Sequence, residues 1–290
     1  MKKGYIILAH KNPAQVRRLI DRLDDGRSTF FIHIDARAPL SDFLTIFTRR
    51  SCVRFVNRAY SGWGGFGLVE ATINGMKAVR DSGIQFDRVI LLSGQDYPIK
   101  SNDRIDDLLS DAKAKVFMNY HPLPDYWKWP GNGGLYRVNK YYLGPGNIRK
   151  YIAKLLNFLS NFSSRVARKL PAGMRPFAGS QWWIMDMDML GKVLDYISSH
   201  PRYRKFHQYT FAADEVFFHM IVLNSVNETH NVSNDSLRFM KWRSASSAHP
   251  EFLGAADLPA LSSSPALFAR KFDMNKQPEI LDLIDEQLLA

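Results

Sequence analysis

Short apolar runs and amphipathic segments alternate along the first third of the chain. Residues 5–9 and 29–34 are largely apolar runs of strand length, and apolar side chains recur at helical spacing over residues 16–23 between them. Residues 52–57 are predicted to form a third, short strand. A strand, a helix and another strand in this order predict the start of a parallel α/β sheet.

A fourth apolar run, residues 89–92, ends in a polar turn. Ser93 and Gly94 interrupt the run and Pro98 prevents it from resuming, so Asp96 follows the carboxyl end of a predicted strand. Ligands of open α/β sheets bind at that edge. Asp96 is therefore a candidate binding residue, although a plain polar turn that only closes the strand would have the same sequence.

The rest of the chain carries the same signals. Further strands are predicted at residues 115–119, 179–185 and 236–242, and further helices at 69–79, 102–109, 147–169, 190–197, 213–222 and 278–289. Asn12, directly before Pro13, is predicted to cap the first helix. Asp186-Met-Asp188 matches the Asp-x-Asp motif that binds metal in many sugar transferases, but the helical face that follows it favours capping instead.

Asp214 and Glu215 fall in the first turn of the predicted helix over residues 213–222. Carboxylates are stabilised there by the helix dipole, which is one interpretation of the pair. The other is that Glu215 is a general base carried on a rigid element.

Composition restricts the class of protein. The formal net charge of +11 and the pI near 9.7 favour anionic partners: phosphates, nucleic acid or an acidic membrane surface. Nucleic acid is the weakest of the three, because Lys and Arg are not clustered on one recognition element. Cys52 is the single cysteine, so no internal disulfide can form. The sequence has neither a dinucleotide-binding glycine motif nor a phosphate-binding P-loop motif. The apolar run near the amino terminus is too short for a signal peptide or a membrane span.

Two segments leave alternatives open. Residues 121–143 are rich in aromatic residues and glycine, and they could either bind the apolar face of a sugar ring or pack onto the core. Residues 147–169 read as a long basic amphipathic helix or a helical hairpin. Such a segment could lie on an anionic membrane, or it could cover the core and present a solvated basic face, which is the favoured interpretation.

Eight sequence blocks occur in the order expected for one family. They are YIILAHK (5–11), IHID (32–35), YSGW (60–63), LSGQDYPIK (92–100), GSQWW (179–183), DEVFF (214–218), LRFMKW (237–242) and LFARKFD (267–273). Together they resemble the core-2/I-branching β-1,6-N-acetylglucosaminyltransferases and the peptide O-xylosyltransferases. The resemblance implies a GT-A-like α/β fold, with a mixed central sheet and flanking helices, in a single domain over residues 1–290. Residues 1–120 would bind the nucleotide-sugar, and residues 121–290 would bind the acceptor and carry catalysis.

The resemblance also implies an activity. It is the inverting transfer of a sugar, N-acetylglucosamine first and xylose second, from a UDP-sugar to a glycan hydroxyl. No metal and no other cofactor are expected, and nucleic acid is not an expected partner. A non-catalytic UDP-sugar- or glycan-binding protein on the same fold is the alternative.

Site residues follow from the matching positions. The donor would be bound by His10, Asp35, Tyr60, Asp96, Arg270 and Lys271, and the acceptor by Trp242, Arg137 and Trp182. Glu215 would be the catalytic base. The family's second diphosphate-binding cation corresponds to a position near Ala248 and His249, where Arg243, His249 or Arg270 could substitute.

The charge and the basic segment at 147–169 suggest where such an enzyme would act. We expect a cytoplasmic protein with peripheral contact to the anionic inner membrane face. A lipid-linked oligosaccharide would then be the acceptor.

Overall fold

The computed structural model describes residues 1–48, 50–62, 64–171, 173–225, 231–244, 247 and 249–289. Trp63 and Ala248, both named above, lie outside these ranges.

Strands and helices alternate as far as residue 122, except that β5 follows β4 directly. The elements are β1 (Lys3–Ala9), α1 (Pro13–Leu23), β2 (Thr29–Ile34), α2 (Leu40–Ile46), β3 (Val53–Phe55), α3 (Gly67–Asp81), β4 (Arg88–Ser93), β5 (Asp96–Pro98), α4 (Asn102–Asp111) and β6 (Val116–Pro122).

The remainder is mainly helical, with four more strands among the described residues. The elements are α5 (Pro130–Gly133), α6 (Tyr136–Asn139), α7 (Asn147–Leu159), β7 (Phe177–Met185), α8 (Met187–Ser199), α9 (Pro201–His207), a 3₁₀ turn (Ala213–Glu215), α10 (Phe217–Asn224), β8 (Val232–Ser233), β9 (Arg238–Met240), a 3₁₀ turn (Ala255–Asp257), α11 (Leu258–Ser263), β10 (Phe268–Arg270) and α12 (Glu279–Gln287).

Seven strands form the central sheet in the order β3-β2-β1-β4-β7-β6-β8. β1, β2, β3 and β4 are parallel neighbours, whereas β7 runs antiparallel to both β4 and β6. A second sheet has the order β5-β10-β9. The predicted α/β class, a mixed central sheet with flanking helices, is confirmed.

Both faces of the central sheet are covered, which explains why its strands are apolar at almost every position. Side chains alternate between the two faces of a strand. In β1, Ile6 and Leu8 join the core beneath α3, α8 and α10, while Tyr5 and Ile7 join the core that contains α1 and α12.

The parallel strands bring their carboxyl ends to one edge of the sheet. Ala9 at the end of β1 is aligned with Ile34 at the end of β2, and Leu8 is aligned with Ser93 at the end of β4. His10, Asp35 and Asp96 therefore follow three adjacent strands at the same edge, which we call the ligand edge.

The Asp186-Met-Asp188 pattern lies at the other edge of the sheet. Because β7 runs antiparallel to β4, its last residue Met185 is aligned with Val89 near the start of β4. The carboxylate of Asp186 accepts a hydrogen bond from the backbone N–H of Met189 at 2.8 Å. The predicted helix cap is confirmed, and this motif is far from the ligand edge.

Three local predictions need correction. Asn12 precedes α1, but its side chain donates to Asp273 at 2.9 Å and makes no capping hydrogen bond. The amphipathic helix predicted over residues 147–169 ends at Leu159. The helix predicted over residues 213–222 is divided, because Val216 separates a 3₁₀ turn from α10.

Within the described ranges, no helix has the length and apolar character needed to cross a bilayer.

Candidate functional site

His10 and Asp35 follow neighbouring strands, and backbone hydrogen bonding fixes them side by side. The backbone N–H of Asp35 donates to the carbonyl of Ala9 at 2.9 Å. Burial and the positive charges of Lys11 and Lys271 lower the pKa of His10, while Asp35 opposes them. Lys271, which follows β10, therefore lies close enough to His10 to affect its protonation.

Asp35 organises the loop that carries Tyr60. Its Oδ2 accepts hydrogen bonds from the backbone N–H of Ser61 at 2.9 Å and from the Ser61 hydroxyl, and its Oδ1 accepts from Arg37 Nε at 2.9 Å. Burial alone would raise the pKa of Asp35, but the hydrogen bonds from Arg37 and Ser61 hold it well below its usual range. Asp35 is thus a fixed anion that holds the loop in place.

Tyr60 presents an aromatic face at the ligand edge. Its side chain is 57% exposed, and the Arg37 guanidinium carbon lies 4.4 Å from its ring centroid. A Cβ at Gly67 would lie 1.8 Å from the Tyr60 carbonyl oxygen, so only glycine lets α3 begin against this loop. An exposed ring in a fixed loop suits the stacking of a planar ligand.

Asp96, Arg238 and Arg270 form a buried cluster where the two sheets meet. β10 aligns Arg270 with Asp96 of β5, and β9 runs parallel to β10. Asp96 Oδ2 lies 3.7 Å from Arg238 Nη1, and Asp96 Oδ1 lies 3.5 Å from Arg270 Nε. The side chains of Asp96 and Arg238 have no exposed surface, and that of Arg270 is 13% exposed.

Trp182 lies against both arginines of this cluster. Its ring centroid is 4.2 Å from the guanidinium carbon of Arg270 and 5.5 Å from that of Arg238. The ring is only 5% exposed. An aromatic face attracts a cation, so Trp182 helps to hold the guanidinium groups in the low-polarity interior.

The cluster carries more positive than negative charge. Burial lowers the pKa of Arg238 to about 10, with Asp96 opposing the shift and Arg270 adding to it. Asp96 Oδ2 also accepts a hydrogen bond from the backbone N–H of Ser93 at 2.6 Å. No donor in the described part of the chain hydrogen-bonds Asp96 Oδ1, and Arg238 Nη1 likewise has no acceptor there. Because two buried cations share one carboxylate, an anion that binds next to them would be stabilised by the remaining positive charge.

Lys271 extends this positive region toward His10. Its Nζ lies 5.2 Å from the ring centroid of Phe252, and Lys11 and Lys276 approach the same ring at 5.9 and 4.2 Å. The backbone N–H of Phe272 donates to the Gln95 carbonyl at 2.9 Å, which holds the segment against the turn after β4. Burial and the charge of Arg270 lower the pKa of Lys271.

The turn that carries Glu215 is joined to the ligand edge, because it is hydrogen-bonded to the loop that Asp35 holds. The backbone N–H of Ala212, just before the 3₁₀ turn, donates to the Gly64 carbonyl at 2.9 Å. The loop thus connects Asp35, through Ser61, to the turn that ends at Glu215. The same turn packs on β7, the strand that carries Trp182. The carboxylate of Glu215 is 37% exposed.

Arg137 fixes the carboxylate of Glu215. Its Nη1 donates to Glu215 Oε2 at 2.6 Å, and its guanidinium carbon lies 5.1 Å from the Trp129 ring centroid and 5.8 Å from that of Phe211. The Arg137 side chain is only 8% exposed. Burial and the charge of Glu215 raise the pKa of the neighbouring Asp214 to about 7.

The structure therefore brings most of the sequence-predicted site residues to one edge: His10, Asp35, Tyr60, Asp96, Arg270, Lys271 and Glu215. Arg137 and Trp182 lie there too, but both are largely buried against protein groups, so their assignment to acceptor binding stays a prediction. Trp242, two residues after β9, is 47% exposed. Its assignment to the acceptor also stays a prediction.

Arg238 was not predicted from the sequence. The second cation was expected near Ala248 and His249 instead. Of these two, Ala248 lies outside the described residues. Burial, Lys271 and Arg270 lower the pKa of His249, so this histidine does lie close to the cluster. The available signal was a basic residue between the apolar Leu237 and Phe239 in a predicted strand, which indicates a charge directed into the interior.

No group of three or more His, Cys, Asp or Glu side chains that could hold a metal ion occurs in the part of the chain that the structure describes. Metal-independent chemistry stays a prediction.

Comparison with known proteins identifies related sequences over nearly the whole chain. Residues 4–261 match the family described as Core-2/I-Branching enzyme. Xylosyltransferase 2 of Rattus norvegicus is 23% identical in an alignment of length 309. The alignment covers 98% of this chain and 33% of that protein. The β-glucuronosyltransferase GlcAT14A of Arabidopsis thaliana is 24% identical, with coverage of 94% and 61%. The chain thus spans about a third of the length of the xylosyltransferase it matches.

Among solved structures, the galactosyltransferase LgtC in complex with donor and acceptor sugar analogs aligns with a TM-score of 0.45 at 9% identity, over 99% of this chain and 96% of that one. A 4-diphosphocytidyl-2C-methyl-D-erythritol synthase from Anaerococcus prevotii aligns with a TM-score of 0.35 at 11% identity, over 68% and 75% of the two chains.

Proposed function

The chain belongs to the core-2/I-branching enzyme family, and from this premise we propose that it transfers a sugar from a UDP-sugar to a hydroxyl group of a glycan. The observation that carries the proposal is the buried excess of positive charge at Asp96, Arg238 and Arg270, on the same sheet edge as the carboxylate of Glu215. Sugar transfer with inversion at C1 uses both: a cation stabilises the leaving diphosphate, and a base takes the proton of the incoming alcohol.

The donor would bind along the ends of β1, β2 and β4. Tyr60 would stack on the uracil ring, and His10 would contact the ribose. Asp35 would act mainly by holding the Tyr60 loop, because its oxygens already accept hydrogen bonds from Arg37 and Ser61.

The diphosphate would lie against Lys271 and the exposed part of Arg270. These side chains carry fixed positive charge that can stabilise the departing UDP, which is the role a metal ion has in other transferases. Asp96 would act indirectly, since it is buried behind the two arginines and keeps them in place. Arg238 would be the second cation of the clamp, acting from beneath Arg270.

Glu215 would remove the proton from the acceptor hydroxyl as its oxygen attacks C1 of the sugar. The bond from C1 to the diphosphate breaks in the same step, UDP leaves with the electron pair, and the configuration at C1 inverts. Arg137 would keep the Glu215 carboxylate oriented, and Trp242 would stack on the acceptor sugar.

Two observations bear on the donor sugar. The family resemblance motivates N-acetylglucosamine, while the printed names of the curated relatives motivate xylose and glucuronic acid. We propose a UDP-sugar donor, and the binding experiment compares the UDP derivatives of these three sugars. The acceptor would be a glycan, or a lipid-linked oligosaccharide reached by a cytoplasmic enzyme at the inner membrane face.

Thermal-shift measurements with UDP, UDP-N-acetylglucosamine, UDP-xylose and UDP-glucuronic acid would test donor binding, because a ligand that binds only the folded state raises the melting temperature. Release of UDP in the presence of glycan acceptors would test transfer. We expect one UDP-sugar to bind more tightly than the others and to support turnover.

Two outcomes would change the proposal. Saturable UDP binding without turnover on any donor and acceptor would favour a non-catalytic binding protein. Loss of activity in EDTA and its recovery with manganese would refute the metal-free mechanism.

A further inference from the structure

The apolar face of α7 is exposed, unlike the apolar faces of the helices that cover the sheet. Six of its side chains are between 41% and 76% exposed: Ile148, Tyr151, Ile152, Leu155, Phe158 and Leu159. With 3.6 residues per turn, they occupy a continuous arc of about 120° of the helix surface. Phe162, just beyond the helix, is 77% exposed. We call these seven side chains the apolar arc.

The opposite side of α7 attaches the helix to the rest of the protein. Asn157 accepts a hydrogen bond from the backbone N–H of Tyr141 at 2.7 Å and donates to the Tyr141 carbonyl at 3.1 Å. Ala153 and Leu156 are half-buried on the same side. The apolar arc is therefore directed away from the body of the protein. A contiguous exposed apolar surface of this kind marks an interaction site.

The net charge of the protein is concentrated in the segment around this helix. Residues 126–185 contain 10 Lys and Arg and no Asp or Glu. The whole chain has 39 basic and 28 acidic residues, so the other residues carry 29 basic against 28 acidic side chains and are close to neutral. The partner of this surface should therefore be anionic.

Basic side chains border the apolar arc on both sides. Lys154 lies next to one border, Lys150 lies farther round the helix on the same side, and Arg149 lies beyond the other border; all three are exposed. Lys150 and Lys154 also line, with Asn147 and Tyr151, a shallow depression of about 170 Å³ that would accept a phosphate group. An apolar stripe between basic borders is the pattern of a helix that lies in a membrane interface, where lysine side chains reach the headgroups.

We propose that α7 docks the protein on an anionic lipid surface, with the apolar arc buried at the boundary between headgroups and acyl chains. A second copy of the chain is a poorer occupant, because pairing two α7 surfaces would bring together two segments that each contain 10 basic side chains and no acidic one. The proposal does not depend on the sugar-transfer reaction, and it makes α7 a surface anchor that lies parallel to the membrane.

Flotation with lipid vesicles tests the proposal directly. We expect the wild-type protein to float with vesicles of phosphatidylcholine and phosphatidylglycerol, to bind phosphatidylcholine alone far more weakly, and to lose affinity for anionic vesicles as salt increases. The double variant Leu155→Ser/Phe158→Ser should abolish flotation. Leu44→Ser, which changes a leucine that is 46% exposed on α2, is the matched control and should float like the wild type.

The basic border is tested separately from the apolar arc. Lys150→Gln/Lys154→Gln should weaken binding to anionic vesicles by roughly fivefold for each lysine and leave the weak binding to neutral vesicles unchanged. Far-UV circular dichroism and the thermal shift with UDP would show that every variant is folded.

Three results would overturn the proposal. The first is wild-type protein that binds neither kind of vesicle, and the second is a double variant that floats as well as the wild type. The third is sedimentation equilibrium that shows a dimer in the absence of lipid, dissociated by Leu155→Ser/Phe158→Ser, because the arc would then be a contact between two copies.

Discussion

The Nη1 atom of Arg137 lies 2.6 Å from Oε2 of Glu215 at the ligand edge. The arginine comes from α6 and is surrounded by aromatic rings, while the glutamate ends a 3₁₀ turn and is about one-third exposed. This contact orients the proposed base, yet it leaves part of the carboxylate accessible to an acceptor hydroxyl.

Replacing the base should stop the chemistry without affecting donor binding. Glu215→Gln retains the side-chain shape and a carbonyl oxygen for Arg137, but an amide cannot accept the acceptor's proton. We expect the turnover number to fall by about 10²- to 10⁴-fold and UDP affinity to stay the same. Steady-state kinetics and calorimetry with UDP measure the two effects. Glu286→Gln changes an exposed residue on α12 and is the control. Full turnover by Glu215→Gln would show that Glu215 is not the catalytic base.

Removing the partner of the base should lower turnover by releasing the carboxylate. In Arg137→Met the Glu215 carboxylate loses the donor that holds it at 2.6 Å, so kcat should fall by about 10- to 100-fold while UDP affinity stays the same. Arg137→Lys keeps a donor and should lose less. Steady-state kinetics and calorimetry with UDP measure the two effects. An unchanged kcat in Arg137→Met would show that the contact does not position the base.

The buried cluster should show strong coupling between its charges. Asp96→Asn leaves Arg238 and Arg270 without a counter-charge and should destabilise the fold by about 3–5 kcal/mol. The double variant Asp96→Asn/Arg238→Met removes one of the stranded cations, so it should be more stable than Asp96→Asn alone. Urea unfolding measures both, with the exposed Asp111→Asn as the control. A double variant that is no more stable than Asp96→Asn alone would contradict the proposed electrostatic pairing.

Lys271 should bind the diphosphate and not the nucleoside. Lys271→Met removes a charge-assisted contact, so the Kd for UDP should rise by about 10- to 100-fold while the Kd for uridine stays the same. Lys113→Met, at the opposite edge of the sheet, removes an equal charge and is the control. Calorimetry with the two ligands separates the effects, and an equal loss of uridine and UDP binding would place Lys271 elsewhere.

Because Asp214 is buried, the free energy of unfolding should decrease as pH rises from acidic to neutral. Burial and Glu215 raise its pKa in the folded state to about 7 from an ordinary value of 3.8, so the folded state holds an extra proton between these pH values. Stability should therefore decrease by on the order of 1 kcal/mol per pH unit across this window.

Urea unfolding of the wild type and Asp214→Asn as a function of pH measures this effect. The amide cannot titrate, so the difference in stability between the two proteins should change with pH only across the window. Glu215→Gln should narrow the window, because it removes one cause of the shift. A constant difference from pH 4 to pH 8 would contradict the prediction.

The ligand edge was predictable from the sequence because its residues follow apolar runs. A buried parallel strand must be apolar along its length, and a polar residue directly after it lies at the carboxyl edge of the sheet. Asp96, after β4, was found in this way, whereas His10 and Asp35, which follow β1 and β2, were assigned to the site by the family resemblance. The separate capping prediction for Asn12 was wrong, because a side chain before a helix can bond either to the helix or to another segment, here Asp273.

Asp96 and Arg270 were both expected at the donor site, but their assembly with Arg238 into one buried cluster was not predictable, because the three residues come from three strands of the small sheet. Asp96, Arg238 and Arg270 lie on β5, β9 and β10, and only the pairing of these short strands brings them together. Short strands carry little periodic signal, so nothing in the sequence specifies which strand pairs with which.

By itself, the sequence determined that α7 is amphipathic and basic, because helical spacing fixes which side chains share a face. It did not determine what that face contacts, and the favoured interpretation placed it on the core. Only the tertiary structure decided the matter: Asn157 and its half-buried neighbours attach the helix, so Leu155 and Phe158 are directed toward solvent. The physical reason is that periodicity describes one helix, whereas burial depends on the elements that pack around it.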